Sequence, residues 1–235
     1  MGKYGMRTMG KSIGGGGTRQ QIIENEQPQD EIRIVHPSNV GWVDAKLPLE
    51  AVARLWEYIE KSEQAHNDYL AGNISRSEKI FDQDDWFAEN ILSRLTNVFI
   101  EEHGPPRTIP ATDAGRFKLK LNDFWVNFQN KHEFNPVHEH RSCLYSFVVW
   151  MQIPTDWREQ HELDFVKQSN YPCASDFAFM YQNTIGEMNS YNYWLDKDSE
   201  GRILLFPGKL NHVVYPFYGS DEQRISISGN IGIDV

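Results

Sequence analysis

Within Asn135-Pro136-Val137-His138-Glu139-His140, two histidines stand two positions apart. Residues i and i+2 of an extended strand share a face, so both imidazoles can chelate one ion, and Glu139 points to the opposite face unless the strand bends there. A third histidine, His212, follows Leu204-Leu205-Phe206-Pro207-Gly208, whose Pro-Gly pair reverses the chain and returns a strand beside the first two histidines. Arg224-Ile225-Ser226 opens an alternating segment twelve positions further on (224 − 212), with Arg224 and Ser226 on one face.

This set is chemically coherent. Imidazole nitrogens hold a first-row metal and leave coordination positions open for a chelating molecule and dioxygen. A guanidinium fork grips a carboxylate through two parallel hydrogen bonds, and a neighbouring hydroxyl adds a third. A dicarboxylate with one metal-chelating end and one free end suits both features. Asn127 alternates with Phe124, Val126 and Phe128 and therefore faces the side of Trp125, as a further hydrogen bonder to the site. Trp125, Tyr145 and Trp150 either line a pocket or pack a core, and packing is the default for the tryptophans. Blander readings stand beside these. A single histidine is more often a surface or hydrogen-bonded structural residue, and Arg224 is alternatively a strand arginine paired with one of 33 Asp and Glu. His36, His66, His103, His132 and His161 lack such company and read as structural or solvent-exposed.

Two helices and a run of strands are available to position these groups. Val52, Leu55, Trp56, Tyr58 and Ile59, after Leu47-Pro48-Leu49-Glu50, follow the spacing of one helix face, as do Trp86, Phe87, Ile91, Leu92, Leu95, Val98 and Phe99. Gly104-Pro105-Pro106 stops the second helix. The period then changes to two: Phe117, Leu119 and Leu121 form one strand pattern and Phe124, Val126 and Phe128 another. Further strands are predicted over Leu144–Ile153, Asp176–Gln182, Arg202–Phe206, His212–Pro216 and Arg224–Ile231, with no intervening helical pattern, which suits an antiparallel sandwich or barrel. The polar, aromatic stretch Asn183–Asp198 reads as a loop over the site or an irregular surface excursion.

At 235 residues the chain suits one sizeable domain, and 40% hydrophobic with 13% aromatic residues excludes a disordered chain. Its net charge of -10 opposes direct nucleic-acid binding. No apolar run approaches the ~20 residues of a membrane span, and the start lacks a secretory signal pattern. Cys143 and Cys173 are too few for a disulfide framework and read as packing residues. These features predict a cytoplasmic protein. Residues 1–30, with Gly14-Gly15-Gly16-Gly17 and many Gln and Asn, read as a flexible polar arm, either passive or ordered only against a partner. Residues 31–235 read as a single domain, helical over about 47–103 and β over about 111–235.

The residues also carry a family resemblance. Trp125-Val126-Asn127, His138-Glu139-His140, Ser146-Phe147-Val148-Val149-Trp150 to Ile153-Pro154, then Leu204-Leu205-Phe206-Pro207, His212 and Arg224-Ile225-Ser226-Ile227-Ser228 together resemble the 2-oxoglutarate/Fe(II)-dependent oxygenases with a His-x-His motif. Leu70-Ala71-Gly72-Asn73-Ile74 is similar to a segment of phage-encoded members. The resemblance implies an α+β, mainly β fold: a double-stranded β-helix (jelly roll) with N-terminal supporting helices. It implies Fe(II) held by His138, His140 and His212, and 2-oxoglutarate held by Arg224 with Ser226 and Asn127. The implied activity is a dioxygenase that hydroxylates a substrate the sequence does not identify, releasing succinate and CO2. In most of the wider superfamily the third position of the first motif is Asp or Glu; here it is His140, so the triad is all-histidine, or Glu139 or another acid contributes. The alternative is a non-catalytic jelly-roll virion or tail protein of a phage, sited in the host cytoplasm or the virion, with a homo-oligomer or virion partner engaged through the arm.

Overall fold

The computed structural model describes residues 34–35, 39, 41–67, 71–106 and 118–234; the polar arm expected over residues 1–30 lies outside them. The chain divides into Met1–Asn39 and Val40–Val235, and every element below belongs to the second unit. Strand β1 (Val43–Lys46) leads into helix α1 (Leu49–Glu60), which buries Ala51, Leu55, Tyr58 and Ile59. That spacing is one helical stripe, and it lies on the core. The second helical pattern is not one regular helix. A 3₁₀ turn (Gln83–Asp85) and a π-helical turn (Ala88–Leu92) precede α2 (Ser93–His103), which ends at Gly104 with φ 80°. The Asp82 carboxylate accepts from the backbone N–H groups of Phe87 (2.9 Å) and Ala88 (2.8 Å), satisfying donors that a helix start leaves orphaned.

Ten further strands follow β1: β2 (Gln64–Ala65), β3 (Arg76–Lys79), β4 (Lys118–Gln129), β5 (Asn135–His138), β6 (Tyr145–Gln152), β7 (Phe177–Gln182), β8 (Met188–Tyr193), β9 (Arg202–Pro207), β10 (Asn211–Val214) and β11 (Arg224–Asp234). They form a seven-stranded sheet, β1-β9-β6-β11-β4-β3-β2, and a four-stranded sheet, β5-β10-β7-β8. All pairings are antiparallel. From β4 onward the chain repeatedly crosses between sheets: β4, β6, β9 and β11 lie in the large sheet and β5, β7, β8 and β10 in the small one. Eight antiparallel strands wound this way are a jelly roll, the expected fold.

Three local expectations change. The two strand patterns merge, from residue 118 on, into one continuous strand, β4, while Phe117 lies outside the described residues. The stretch expected as a loop over the site contains β8, which pairs along the whole of β7. The short helix α3 (Trp157–His161) interrupts the strand series. The β7–β8 hairpin closes on Gly186 (φ 84°) and on the Asn183 side-chain oxygen, which accepts from the backbone N–H groups of Ile185 and Glu187.

The large sheet has two differently filled faces. Phe124, Val126, Phe128, Phe147, Val149, Ile225 and Ile227 pack under the two helices. Val148, Trp150, Leu204 and Phe206 on the other face meet Phe177, Phe179 and Tyr193 of the small sheet. A β-bulge in β4 matters for what the second face carries. β11 pairs Asn230 with Asp123 but Ile231 with Leu121, leaving Asn122 as an extra residue. Leu119 and Leu121 therefore pack toward the helices, while the odd-numbered residues after the bulge, Asp123, Trp125, Asn127 and Gln129, turn to the space between the sheets. Gly229, beside the bulge, has no room for a side chain: a Cβ there would lie 2.5 Å from the Phe147 ring and 2.8 Å from the Asp123 carbonyl oxygen. Gly229→Ala is expected to cost about 1–3 kcal/mol of stability by overpacking; a urea unfolding midpoint equal to wild type contradicts this packing.

Candidate functional site

Between the sheets lies a cavity of about 300 Å³. β4 lines it with Asp123, Trp125, Asn127 and Gln129, and β11 with Arg224, Ser226, Ser228 and Asn230. β10 pairs with β5 so that His212 lies opposite His138, and the strand returning after Pro207-Gly208 does sit beside the first histidines. His140 lies just beyond the end of β5. Its backbone N–H donates to the Gly208 carbonyl at 2.7 Å, and a Cβ on Gly208 would strike the Cys143 sulfur and the His140 carbonyl. The glycine thus lets the turn before β10 pack directly on the loop that carries His140.

The three imidazoles converge. One ring nitrogen from each of His138, His140 and His212 lies within 4.8 Å of the others, and among the described residues no carboxylate joins this group. The ring centroids are 4.2 Å apart for His138 and His212, 5.2 Å for His140 and His212, and 5.4 Å for His138 and His140. The Nδ1 atoms of His138 and His212 lie 2.7 and 3.0 Å from the carbonyl oxygens of Pro136 and Leu210. A carbonyl only accepts, so Nδ1 carries the hydrogen in both and the Nε2 lone pair is left for the cavity. Burial pushes all three pKa values down, to about 3 for His212 and about 4 for His140, so the rings are neutral lone-pair donors near pH 7. Glu139 does not swing in: its carboxylate pairs with Arg141 at 2.9 Å.

Arg224 is fully buried. Its Nη2 donates to the Ser175 carbonyl (2.8 Å) and hydroxyl (2.6 Å), its Nη1 to the Tyr215 carbonyl (3.3 Å), and Phe217 lies beneath it at 5.1 Å. Burial lowers its pKa to about 9, with Asp176 acting in the opposite direction, and the group stays protonated at neutral pH. The Asp176 carboxylate takes hydrogen bonds from Asn192 and lies 2.9 Å from His161 Nε2, so Arg224 is not a simple strand ion pair. Ser226 lies opposite Asn127 on β4 and opposite Trp150 on β6, so the floor of the cavity is three adjacent strands. Arg224 Nε, Asn127 Oδ1 and Trp125 Nε1 are buried without a hydrogen-bond partner. Each such atom costs about 1–3 kcal/mol unless something satisfies it. The two orphaned donors, Arg224 Nε–H and Trp125 Nε1–H, suit a bound carboxylate, whereas the Asn127 oxygen is an acceptor that needs a donor.

Several wall residues escaped the sequence reading. His66 is buried in the cavity wall and stacks on Trp125 with ring centroids 5.0 Å apart, whereas the sequence marked it only as structural or exposed. Asp123 and Asn230 also face the cavity; the bulge that turns Asp123 inward leaves no mark in the local alternation. Trp125 and Trp150 line the cavity as well as packing, while Tyr145 packs under the helices. His103 and His132 are exposed, His161 pairs with Asp176, and His36 lies outside the described residues. Both cysteines are half-buried with raised pKa values, Cys143 at about 12, as packing residues.

A jelly roll with three imidazoles and a buried guanidinium facing one cavity defines the architecture of a small-molecule site at the centre of a barrel. Residues 123–230, the strands that build this cavity, match the family model described as "Putative 2OG-Fe(II) oxygenase". This stretch belongs to the 2-oxoglutarate/Fe(II) oxygenases, oxidoreductases whose cofactors are Fe(II) and 2-oxoglutarate. The family match gives no support to a non-catalytic virion role. No curated protein matches this chain in sequence. Among solved structures, the chain is similar to a prolyl-4-hydroxylase from Pseudomonas putida (16% identity, covering 83% of this chain and 94% of that one, TM-score 0.43). It is also similar to HygX from Streptomyces hygroscopicus, crystallised with nickel and 2-oxoglutarate (11% identity, 82% and 83% covered, TM-score 0.49). Those values are too low to transfer residue roles. Among the described residues no helix is long and apolar enough to cross a membrane.

The depressed histidine pKa values make the metal-free protein sensitive to acid. Between pH 6.5 and about 4 the unfolded chain takes up protons that the buried imidazoles refuse, so stability falls as pH drops through that window. His212→Phe removes one such group. Its urea midpoint relative to wild type should therefore rise from pH 7.5 to pH 5, and a constant difference contradicts a buried neutral His212.

Proposed function

We propose that this chain is an Fe(II)- and 2-oxoglutarate-dependent oxygenase in which His138, His140 and His212 hold the metal and Arg224 anchors the co-substrate. One observation carries the reading: three neutral imidazoles, two from the end of β5 and one from β10, converge on one cavity. When bound, Fe(II) supplies dioxygen activation, and the overall reaction joins a substrate C–H, O2 and 2-oxoglutarate to give an alcohol, succinate and CO2. The protein's own part is to bind, orient and shield. Arg224 Nε–H would hold the distal carboxylate and the Ser226 hydroxyl would add a second donor, with Asn127 beside them across the ladder from Ser226. Trp150, Phe177 and Phe206 wall the cavity with apolar surface that keeps water from the reacting centre.

The ligand set we assign is all-histidine. Such a set leaves the full charge of the ion to be balanced by the anionic co-substrate, so metal and 2-oxoglutarate are expected to bind more tightly together than singly. The cytoplasm is the compartment that fits two free thiols with raised pKa values and an oxidation-sensitive ferrous site. By the likeness of residues 70–74 to a segment of phage-encoded members, the same reading extends to a phage origin.

Anaerobic addition of Fe(II) and 2-oxoglutarate should produce the weak visible charge-transfer band of a chelate. His212→Ala should abolish it. Arg224→Lys should keep metal binding but weaken 2-oxoglutarate about 10- to 100-fold, equivalent to the ~1.5–3 kcal/mol of one charge-assisted hydrogen bond. A purified wild-type protein that takes up neither metal nor 2-oxoglutarate would overturn the assignment.

A further inference from the structure

Four described non-glycine residues have a positive φ, and three of them, Asp84, Asp85 and His132, are exposed. The fourth, Ser175, is completely buried, with φ 72°. A residue with a side chain rarely adopts that conformation, and it persists where neighbouring contacts over-determine it, most often at ligand-binding sites. Ser175 stands just ahead of β7, and its backbone N–H donates to the Pro216 carbonyl at 2.9 Å. The next pair along, Tyr215 N–H to the Asp176 carbonyl, is also 2.9 Å. Ser175 is thus clamped to the β7–β10 ladder, the same ladder that carries His212.

The effect of the conformation is seen at Arg224. The Ser175 carbonyl and hydroxyl both accept from Nη2, at 2.8 and 2.6 Å, which uses both hydrogens of that nitrogen. In an extended residue the carbonyl lies in the plane of the sheet and the side chain stands across it, so the two oxygens would diverge. A guanidinium only donates, so the Ser175 hydroxyl accepts from it and has its own hydrogen for Thr155 Oγ1, 3.1 Å away. With Nη1 on the Tyr215 carbonyl and Phe217 beneath, the group cannot turn without breaking a hydrogen bond, and Nε is the nitrogen left without a partner.

We propose that Ser175 is a positioning residue for co-substrate binding: its left-handed backbone points both of its oxygens at Nη2, fixes the rotation of the Arg224 guanidinium and aims Nε–H into the cavity. The inference rests on the reading of Arg224 as the 2-oxoglutarate anchor. With Nη2 committed to the protein, the carboxylate meets Nε–H in one fixed direction rather than a fork free to rotate.

Ser175→Gly is the cleanest variant, because glycine adopts a positive φ without strain and the hydroxyl is lost. Spectra of metal-free, 15N-arginine-labelled protein report rotation: a locked guanidinium gives separate Nη signals, and Arg224→Lys identifies them by their loss. Visible absorption reports Co(II) affinity and then the 2-oxoglutarate affinity of the Co(II)-loaded protein. Wild type should show resolved Arg224 Nη signals. Ser175→Gly should merge them, leave Co(II) affinity unchanged and weaken 2-oxoglutarate about 5- to 10-fold, the scale of one hydrogen bond. A residue that served the fold alone would affect both ligands or neither. Ser175→Ala adds no backbone strain beyond that of the serine; it should give the same pattern and carries the test if the glycine variant does not fold. Unchanged 2-oxoglutarate affinity in both variants would overturn the proposal, whether or not the Nη signals merge, and leave Arg224 as the anchor. Wild-type Co(II)-loaded protein that binds no 2-oxoglutarate would overturn the anchor reading, and the proposal with it.

Discussion

Strand β11 lies between β4 and β6, hydrogen-bonded on both edges, and its period of two divides its side chains between two environments. Ile225, Ile227 and Ile231 enter the core under the helices; Arg224, Ser226, Ser228 and Asn230 face the cavity. Burying a guanidinium without partners would be prohibitive, and it is the fixed register of this central strand that brings Arg224 to the carbonyls of Ser175 and Tyr215. The same register places Ser226 opposite Asn127 and Asn230 opposite Asp123. A slip of one residue would turn each of these groups into the hydrophobic core and the isoleucines into the cavity. The register of one strand therefore holds both the fold and the site together.

The histidines depend on a second device, the close approach of two loops. Gly208 accepts the His140 N–H and touches the Cys143 sulfur, so the loop after β5 and the turn before β10 form one packed unit. His212 leaves that turn directly onto the strand opposite His138. Residues more than seventy positions apart are in this way fixed by a single glycine contact and one ladder. The aromatic neighbours complete the arrangement. His66, Trp125, His140 and His212 run as a stack with successive centroids 5.0, 6.0 and 5.2 Å apart, which limits the rotation of each ring.

Much of this is legible in the sequence because the relevant patterns are local. Segments set off by turn residues identified β6, β7, β9 and β10, alternation identified β11, the 3.6-residue period identified α1, and the parity rule placed Asn127 on the cavity side and Arg224 with Ser226. What escaped depends on contacts between distant segments or on local irregularity. β8 is rich in Asn, Ser and Tyr, and its alternation carries little hydrophobic contrast until β7 pairs with it. The π-helical turn at Ala88–Leu92 keeps a helical hydrophobic spacing, so it reads as ordinary helix. His66 lies just after β2, ahead of the barrel, and its stacking partner Trp125 reveals its position. Asp123 was invisible because a bulge changes which parity faces inward, and a pattern rule assumes that parity is conserved along a strand.

That bulge makes the two halves of β4 unequal in what they can tolerate. Ahead of Asn122 the strand, still paired with β11, contributes partly exposed residues at the helix side. Beyond it the positions paired with β11 carry the cavity floor, so an odd-numbered insertion or deletion there would invert the wall. Asn122 serves as a phase marker: it lets a hydrophobic edge and a polar, ligand-facing surface be written along one continuous strand.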